Sequence, residues 1–155
     1  MTTLYMLIGV PGSGKSTWAK SQNWIKICAY ISTDELVEEY AKKTNSSYND
    51  VFQEYMPEAV KVMTNMVIEA READKDIVWD QTSCTVITRA KKINMLPSYR
   101  KIAVVFKTPP ESELRARLDS RPDKIIPWEV VSDMANKLEQ QPVTLEEGFE
   151  EIWYV

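Results

Sequence analysis

Apolar positions along this chain follow two rhythms. Short unbroken runs occur at residues 4–8, 77–79 and 102–106. Runs of that length without alternation suit strands buried on both faces of a parallel sheet. Residues 24–31 form a second strand-like stretch and residues 151–155 a last one. Between these runs the apolar residues recur at helical spacing. Lys15 onward starts a helix that carries Trp18 into the core. Leu36, Val37, Tyr40 and Ala41 mark a helix from Thr33 to about Lys42, with Ser32 or Thr33 placed to cap it and Asp34 in its first turn. After a loop at residues 45–50, a longer helix is predicted over 51–73. It has Val60, Met63, Val67 and Ala70 on one face and Pro57 as a kink or restart. Three further helices are expected over 86–96, over 111–118, and from Pro127 to about residue 140. Strands alternating with helices predict an α/β fold, a three-layer α/β/α sandwich around a parallel sheet. In such folds the active groups gather at the carboxyl ends of the strands.

The length of 155 residues fits one domain spanning 1–155, enough to bury a single core. No apolar run approaches the roughly 20 residues that cross a bilayer, and the chain enters its first strand at once. The expectation is no membrane partner and a cytoplasmic location, the host cytoplasm if the chain is phage-encoded. Cys28 and Cys84 lack metal-ligand spacing, and there is no histidine. A zinc site and Ser-His or Cys-His nucleophile pairs are thereby excluded, and acid–base work falls to carboxylates. The net charge of −4 argues against broad, nonspecific affinity for nucleic acid, although it leaves room for a local basic track. Positive residues cluster at 89–101 and 115–124. The first cluster reads either as a solvated helix face or as such a track.

Residues 9–16 read Gly-Val-Pro-Gly-Ser-Gly-Lys-Ser, the full G-x-x-x-x-G-K-[ST] spacing, between an apolar strand and a helix. Glycines at these positions let successive backbone N–H groups turn inward around a phosphate, where the following helix adds its positive end. Lys15 would neutralise β and γ oxygens, and the Ser16 hydroxyl would reach Mg²⁺. The expected nucleotide-binding set is Gly12, Ser13, Gly14, Lys15, Ser16 and Thr17, with Arg117 added from further along; the expected cofactors are ATP and Mg²⁺.

Asp34 follows the second strand, on the rim expected to hold the phosphate loop. A carboxylate there could accept the proton of an attacking hydroxyl, or simply favour a helix N-terminus. Asp80 closes the run Ile77-Val78-Trp79, as a metal ligand alongside Ser16 or as a polar strand end. Arg117 and Arg121 share a helix face before a Pro-Asp break. They could close over ATP as a helical lid at about residues 115–127, or pair with Glu113 or Asp119 on the surface.

The run Gly-Val-Pro-Gly-Ser-Gly-Lys-Ser-Thr-Trp-Ala-Lys at 9–20 resembles the phosphate loop and first helix of the 5′-kinase domain of bacteriophage polynucleotide kinases, members of the P-loop kinases. The resemblance extends to Asp34-Glu35, to Asp80 with Thr82, and to the region of Arg117, Arg121, Ile126 and Pro127. It implies a nucleotide-kinase-like P-loop fold. It also implies that Lys15 and Ser16 hold phosphates and Mg²⁺, that Asp34 is the general base for a nucleic-acid 5′-hydroxyl, that Arg121 stabilises the transferring phosphoryl group, and that Arg117 assists at the lid. The implied partner is DNA or RNA as phosphate acceptor.

This chain departs from the family pattern in three places. Val37 stands where the family has an arginine one turn after the acid, and Asp80-Gln81-Thr82-Ser83 stands where the related pattern is Asp-x-Thr-Asn. No Asp-x-Asp motif suggests an accompanying phosphatase. The same chemistry would also serve a hydroxymethylated base such as 5-hydroxymethyluracil in phage DNA, or a nucleoside or sugar. A nucleotide-binding adaptor without phosphoryl transfer is the non-enzymatic alternative.

Overall fold

The computed structural model describes residues 1–155. Five strands form one sheet: β1 (Thr3–Ile8), β2 (Ala29–Ile31), β3 (Ile77–Asp80), β4 (Arg100–Val105) and β5 (Glu151–Tyr154), in the order β2-β3-β1-β4-β5. Every neighbouring pair is parallel. In register, Leu7 of β1 lies beside Asp80 of β3 and Ile8 beside Val105 of β4, so these strands end together. The helices are α1 (Lys15–Ser21), α2 (Thr33–Lys43), α3 (Tyr48–Glu72), α4 (Val86–Met95), α5 (Glu111–Asp119) and α6 (Trp128–Gln140).

Strand alternation divides the core between the two faces of the sheet. Leu4, Met6 and Ile8 of β1 join Ile77 and Trp79 of β3 against Met63, Val67 and Ala70 of α3. Leu7, Val78 and Val104 face the other way, onto Ala19 of α1 and Ile25, with Trp18 and Trp24 packed beside them. The central strand is buried from both sides, as its unbroken apolar run requires. Each fully buried aliphatic side chain of this kind contributes about 1.5–3 kcal/mol relative to exposure.

The structure departs from the sequence pattern at four points. Helix α3 begins at Tyr48, inside the stretch expected as loop, because Ser47 accepts from the Asp50 N–H while Asp50 accepts from the Ser47 N–H, a reciprocal cap. It also continues past Pro57 as one helix without restarting, since the packing of Ala59, Met63, Val67 and Ala70 outweighs one lost backbone bond. Val60, expected on that buried face, is 42% exposed. Finally, the stretch at 24–31 is only half strand. Asn23–Ile27 is a 3₁₀ turn that docks Trp24 against Tyr5, with ring centroids 4.6 Å apart, leaving Ala29–Ile31 to pair with β3.

Three of the five basic residues at 89–101 are buried, so the cluster is not a solvated face, and none of the five lines the cavity as a track would. Arg89 is fully buried, donating to Glu147 at 2.7 Å and to the carbonyls of Ser83 and Gln141 at 3.1 and 2.8 Å. Lys101 is buried and donates to the Tyr99 carbonyl at 2.7 Å, and Lys92 is buried over the Trp79 ring. Arg89 and Lys101 therefore tie segments of the fold together through carbonyls, while Lys92 is buried without an ion-pair partner. No helix is long and apolar enough to cross a membrane.

Candidate active site

The loop between β1 and α1 carries the candidate chemistry. Its shape depends on glycine at two points. Gly14 has φ +100°, which an L side chain rarely adopts, and a Cβ on Gly9 would fall 2.6 Å from the Ser13 hydroxyl and 3.0 Å from the Phe106 β-carbon. Lys15 folds back over the loop, its Nζ donating to the carbonyls of Gly9 at 2.9 Å and Val10 at 3.0 Å. Burial pushes the Lys15 ammonium below its ordinary value, against the opposing pull of Asp80, Cys84 and Asp34. A buried cation held only by neutral carbonyls suits an anion arriving from outside. The Ser13 hydroxyl is also buried, without a hydrogen-bond partner.

Ser16 and Asp80 meet across the sheet. The Ser16 hydroxyl donates to Asp80 Oδ2 at 2.8 Å, and the Tyr30 hydroxyl from β2 donates to the same oxygen. Burial, followed by the Asp80 charge, pushes the Tyr30 phenol far up, so it remains a donor. Hydroxyl and carboxylate oxygens at a phosphate loop are hard donors of the type Mg²⁺ takes.

Asp34 sits at the start of α2, where β2 gives way to helix and the Ser32 hydroxyl accepts from the Glu35 N–H. Its Oδ1 accepts from the Tyr48 hydroxyl at 2.7 Å and its Oδ2 from Lys124 Nζ at 2.8 Å. Burial alone would raise this carboxyl. Lys124, the Tyr48 hydroxyl and Lys15 outweigh it and hold Asp34 below the ordinary carboxylate value. Half of the Asp34 side chain, 52%, remains exposed.

One polar cavity of about 760 Å³ joins these groups. Its lining brings together Gly12, Gly14, Lys15, Ser16 and Thr17 of the phosphate loop and α1, Asp80, Gln81 and Thr82 at the end of β3, Asp34, Glu35 and Glu38 of α2, Tyr48 of α3, and Arg121 and Lys124 from the segment between α5 and α6. Arg117 stands outside that lining. It donates to the Gly12 carbonyl at 3.1 Å and to Glu113 at 2.7 Å, so it touches the phosphate loop and forms the surface pair as well. Val37 is fully buried among Ala41, Tyr48, Val51 and Ala59 and does not line the cavity. Ser83 has φ +47°, a conformation that asparagine tolerates better than most residues, and its hydroxyl is buried and unpartnered.

Residues 4–141 match the family model described as the AAA domain. The chain belongs to that P-loop family. Its fold is that of P-loop kinases, and solved structures place it among them. A chain of the Pnkp1/Rnl/Hen1 RNA repair complex superposes with a TM-score of 0.67 at 21% identity, over 90% of this chain and 44% of that one. A chain of the PezAT chromosomal toxin-antitoxin system of Streptococcus pneumoniae superposes with a TM-score of 0.71 at 20% identity, over 99% and 68%. Shikimate kinase from Bacteroides thetaiotaomicron gives 0.56 at 17% identity, over 98% and 86%. This chain thus spans less than half of the RNA-repair chain it resembles. No curated protein matches it in sequence.

For a member of this P-loop family, the sequence left Tyr30, Tyr48, Gln81 and Lys124 unassigned. Gln81 donates to the Thr33 hydroxyl at 3.0 Å and accepts from the Trp79 indole at 3.1 Å, tying β3 to the start of α2. Tyr30 is the middle residue of β2, one before the strand's end at Ile31, and that place near the rim was the signal available. Lys124 had a weaker signal, a lysine in the Pro-Asp break.

Proposed function

We propose that the protein transfers the γ-phosphoryl group of Mg-ATP to a hydroxyl on nucleic acid, with a polynucleotide 5′-hydroxyl as the acceptor. Residues 1–155 act as one catalytic domain, with a lid at about residues 115–127. The observation that supports this best is the convergence of Lys15, Ser16, Asp80, Asp34 and Arg121 on a single cavity. Gly12, Ser13, Gly14, Lys15, Ser16 and Thr17 cradle the phosphates, and Arg117 braces the loop at the Gly12 carbonyl. Ser16 and Asp80, already 2.8 Å apart, would hold Mg²⁺, which neutralises phosphate charge when bound. The acceptor oxygen attacks the γ-phosphorus, the bond to the β–γ bridging oxygen breaks, and ADP leaves. The hydroxyl proton passes to Asp34, and Arg121 stabilises the charge that develops on the transferring group.

A second reading keeps this chemistry and changes the acceptor to a hydroxymethylated base in DNA, or to a free nucleoside or sugar. Two observations favour it. The acceptor end of the cavity carries Glu35 and Glu38, which repel a neighbouring phosphate, and the cations at 89–101 do not line the cavity.

The deciding experiment gives γ-labelled ATP together with a 5′-hydroxyl oligonucleotide, a hydroxymethyluracil duplex, and free nucleosides. Label at the oligonucleotide 5′ end, lost in Lys15→Ala and Asp34→Asn, supports the first reading. Label only in the modified duplex or the nucleosides replaces it with the second. Slow hydrolysis with no labelled acceptor leaves a nucleotide-binding adaptor.

A further inference from the structure

The segment between α5 and α6 is fastened to the start of α3 at one residue. The Asn49 side chain donates to the Ile125 carbonyl at 2.8 Å and accepts from the Ile125 N–H at 2.6 Å, a two-point clasp between side-chain amide and backbone. The neighbouring Lys124 is thereby carried inward. Its side chain is only 11% exposed, its ammonium lies 4.6 Å from the centre of the Tyr48 ring, and it donates to Asp34 Oδ2. Tyr48 holds the other carboxylate oxygen. Clasp, lysine, phenol and carboxylate form one connected unit that joins the lid to α2 and α3.

We propose that Lys124 is a positioning residue for phosphoryl transfer: from the lid it fixes the Asp34 carboxylate in place, and Asn49 clasps the lid so that it can. This rests on the reading of Asp34 as the group that orients the acceptor. Each carboxylate oxygen has a second lone-pair direction, so an acceptor hydroxyl can donate to Asp34 while Lys124 and Tyr48 still hold it. Lid closure and a correctly aimed Asp34 are then one event. The hydroxyl meets a fixed carboxylate only when Arg121, three residues before Lys124, is also on the cavity wall. A free carboxylate at the end of two rotatable bonds would spend much of its time misaimed, and misplacement of about 1 Å can cost on the order of a hundredfold in rate.

The test has two arms. The first needs no acceptor. Arg121 precedes proline and resists trypsin, so Lys124–Ile125 is the bond at which trypsin opens this segment. It is cut only when the clasp and the ion pair release. Asn49→Ala, at an exposed site that leaves the core intact, and Asp34→Asn are expected to be cut at that bond at least about threefold faster than the unaltered protein, with thermal unfolding little changed. Equal cleavage rates in all three proteins overturn the clasp. The second arm measures transfer from γ-labelled ATP to a 5′-hydroxyl oligonucleotide. Lys124→Met is expected to lower kcat on the order of tenfold or more with the KM for ATP unchanged, and Lys124→Arg to recover most of it. Unchanged kcat in Lys124→Met, or a methionine variant as active as the arginine one, overturns the positioning role. If the unaltered protein labels no oligonucleotide, the acceptor reading fails, and the cleavage arm still decides whether Asn49 and Lys124 hold the lid to Asp34.

Discussion

Asp34 receives two donors from different parts of the chain, Tyr48 from α3 and Lys124 from the segment between α5 and α6. With burial opposing them, these and Lys15 keep it ionised at lower pH than an ordinary carboxyl. A carboxylate that accepts the acceptor's proton must be ionised when substrate arrives. The acid limb of kcat/KM for phosphoryl transfer is therefore expected below the ordinary carboxylate value of about 3.9. Activity is lost as pH falls through the folded-state value and is complete above it. Lys124→Met removes the strongest stabiliser of the charged form, so its acid limb moves to higher pH, whereas Asp34→Asn abolishes the limb along with most of the rate. An acid limb that stays in place in Lys124→Met would separate Asp34 from the titrating group.

At the scale of elements, α4 is held by one buried cation, Arg89. Arg89 has no exposed surface, and it satisfies two carbonyls and Glu147 together, linking α4, the Ser83 turn and the segment after α6. Arg89→Ala leaves the buried Glu147 carboxylate and two carbonyls without their donor, and urea denaturation is expected to show a loss of about 3–5 kcal/mol. Lys92, one turn along, has the opposite character. It lies over Trp79 without an ion-pair partner, and burial, with Lys91 nearby, pushes its ammonium down to about 8. Below pH 8 the lysine is charged in both the folded and unfolded states, and the desolvation cost is fully present. Between pH 8 and about 10.4 the unfolded chain binds more protons, so stability rises with pH. Lys92→Met is expected to be more stable at pH 7 by about 1–3 kcal/mol and to lose that rise. A flat stability profile in the unaltered protein would refute the burial argument.

The same residues show where sequence reading reaches its limit. Periodicity locates α4, and it places Arg89 and Lys92 among many charges, but whether a cation faces water or carbonyls depends on segments at 83 and 141–147 that no local pattern connects to it. The start of α3 was misplaced for a related reason, since the Ser47–Asp50 cap competes with the turn-forming residues around it. The phosphate loop was legible in full, because its chemistry depends on backbone spacing. Asp34 and Asp80 were legible as candidates because parallel strands end at one rim, and Arg121 because it stands four residues after Arg117 before a Pro-Asp break. Tyr48 and Lys124 were not, since their contact with Asp34 is made across 14 and 90 residues.

For the molecule as a whole, the phosphate loop sets stability against function. A buried Lys15 whose hydrogen bonds go only to carbonyls is costly to the free protein, and on the proposed function that cost would be recovered when a polyphosphate binds. Mg-ATP at about 100 times its Kd should then stabilise the fold by about 2.7 kcal/mol. For a chain of this size that is a rise in Tm of about 5–10 °C. Lys15→Met removes both sides of this balance. Its Tm without nucleotide is expected to stay within a few degrees of the unaltered protein, because the lost hydrogen bonds are offset by the relief of a buried charge, while the nucleotide-dependent rise disappears. Asp34→Asn, altered at the acceptor end, should keep the full rise. A Lys15→Met protein that still gains several degrees with Mg-ATP would show that the nucleotide's phosphates bind elsewhere, and an Asp34→Asn protein that loses the gain would show that Asp34 serves the nucleotide rather than the acceptor.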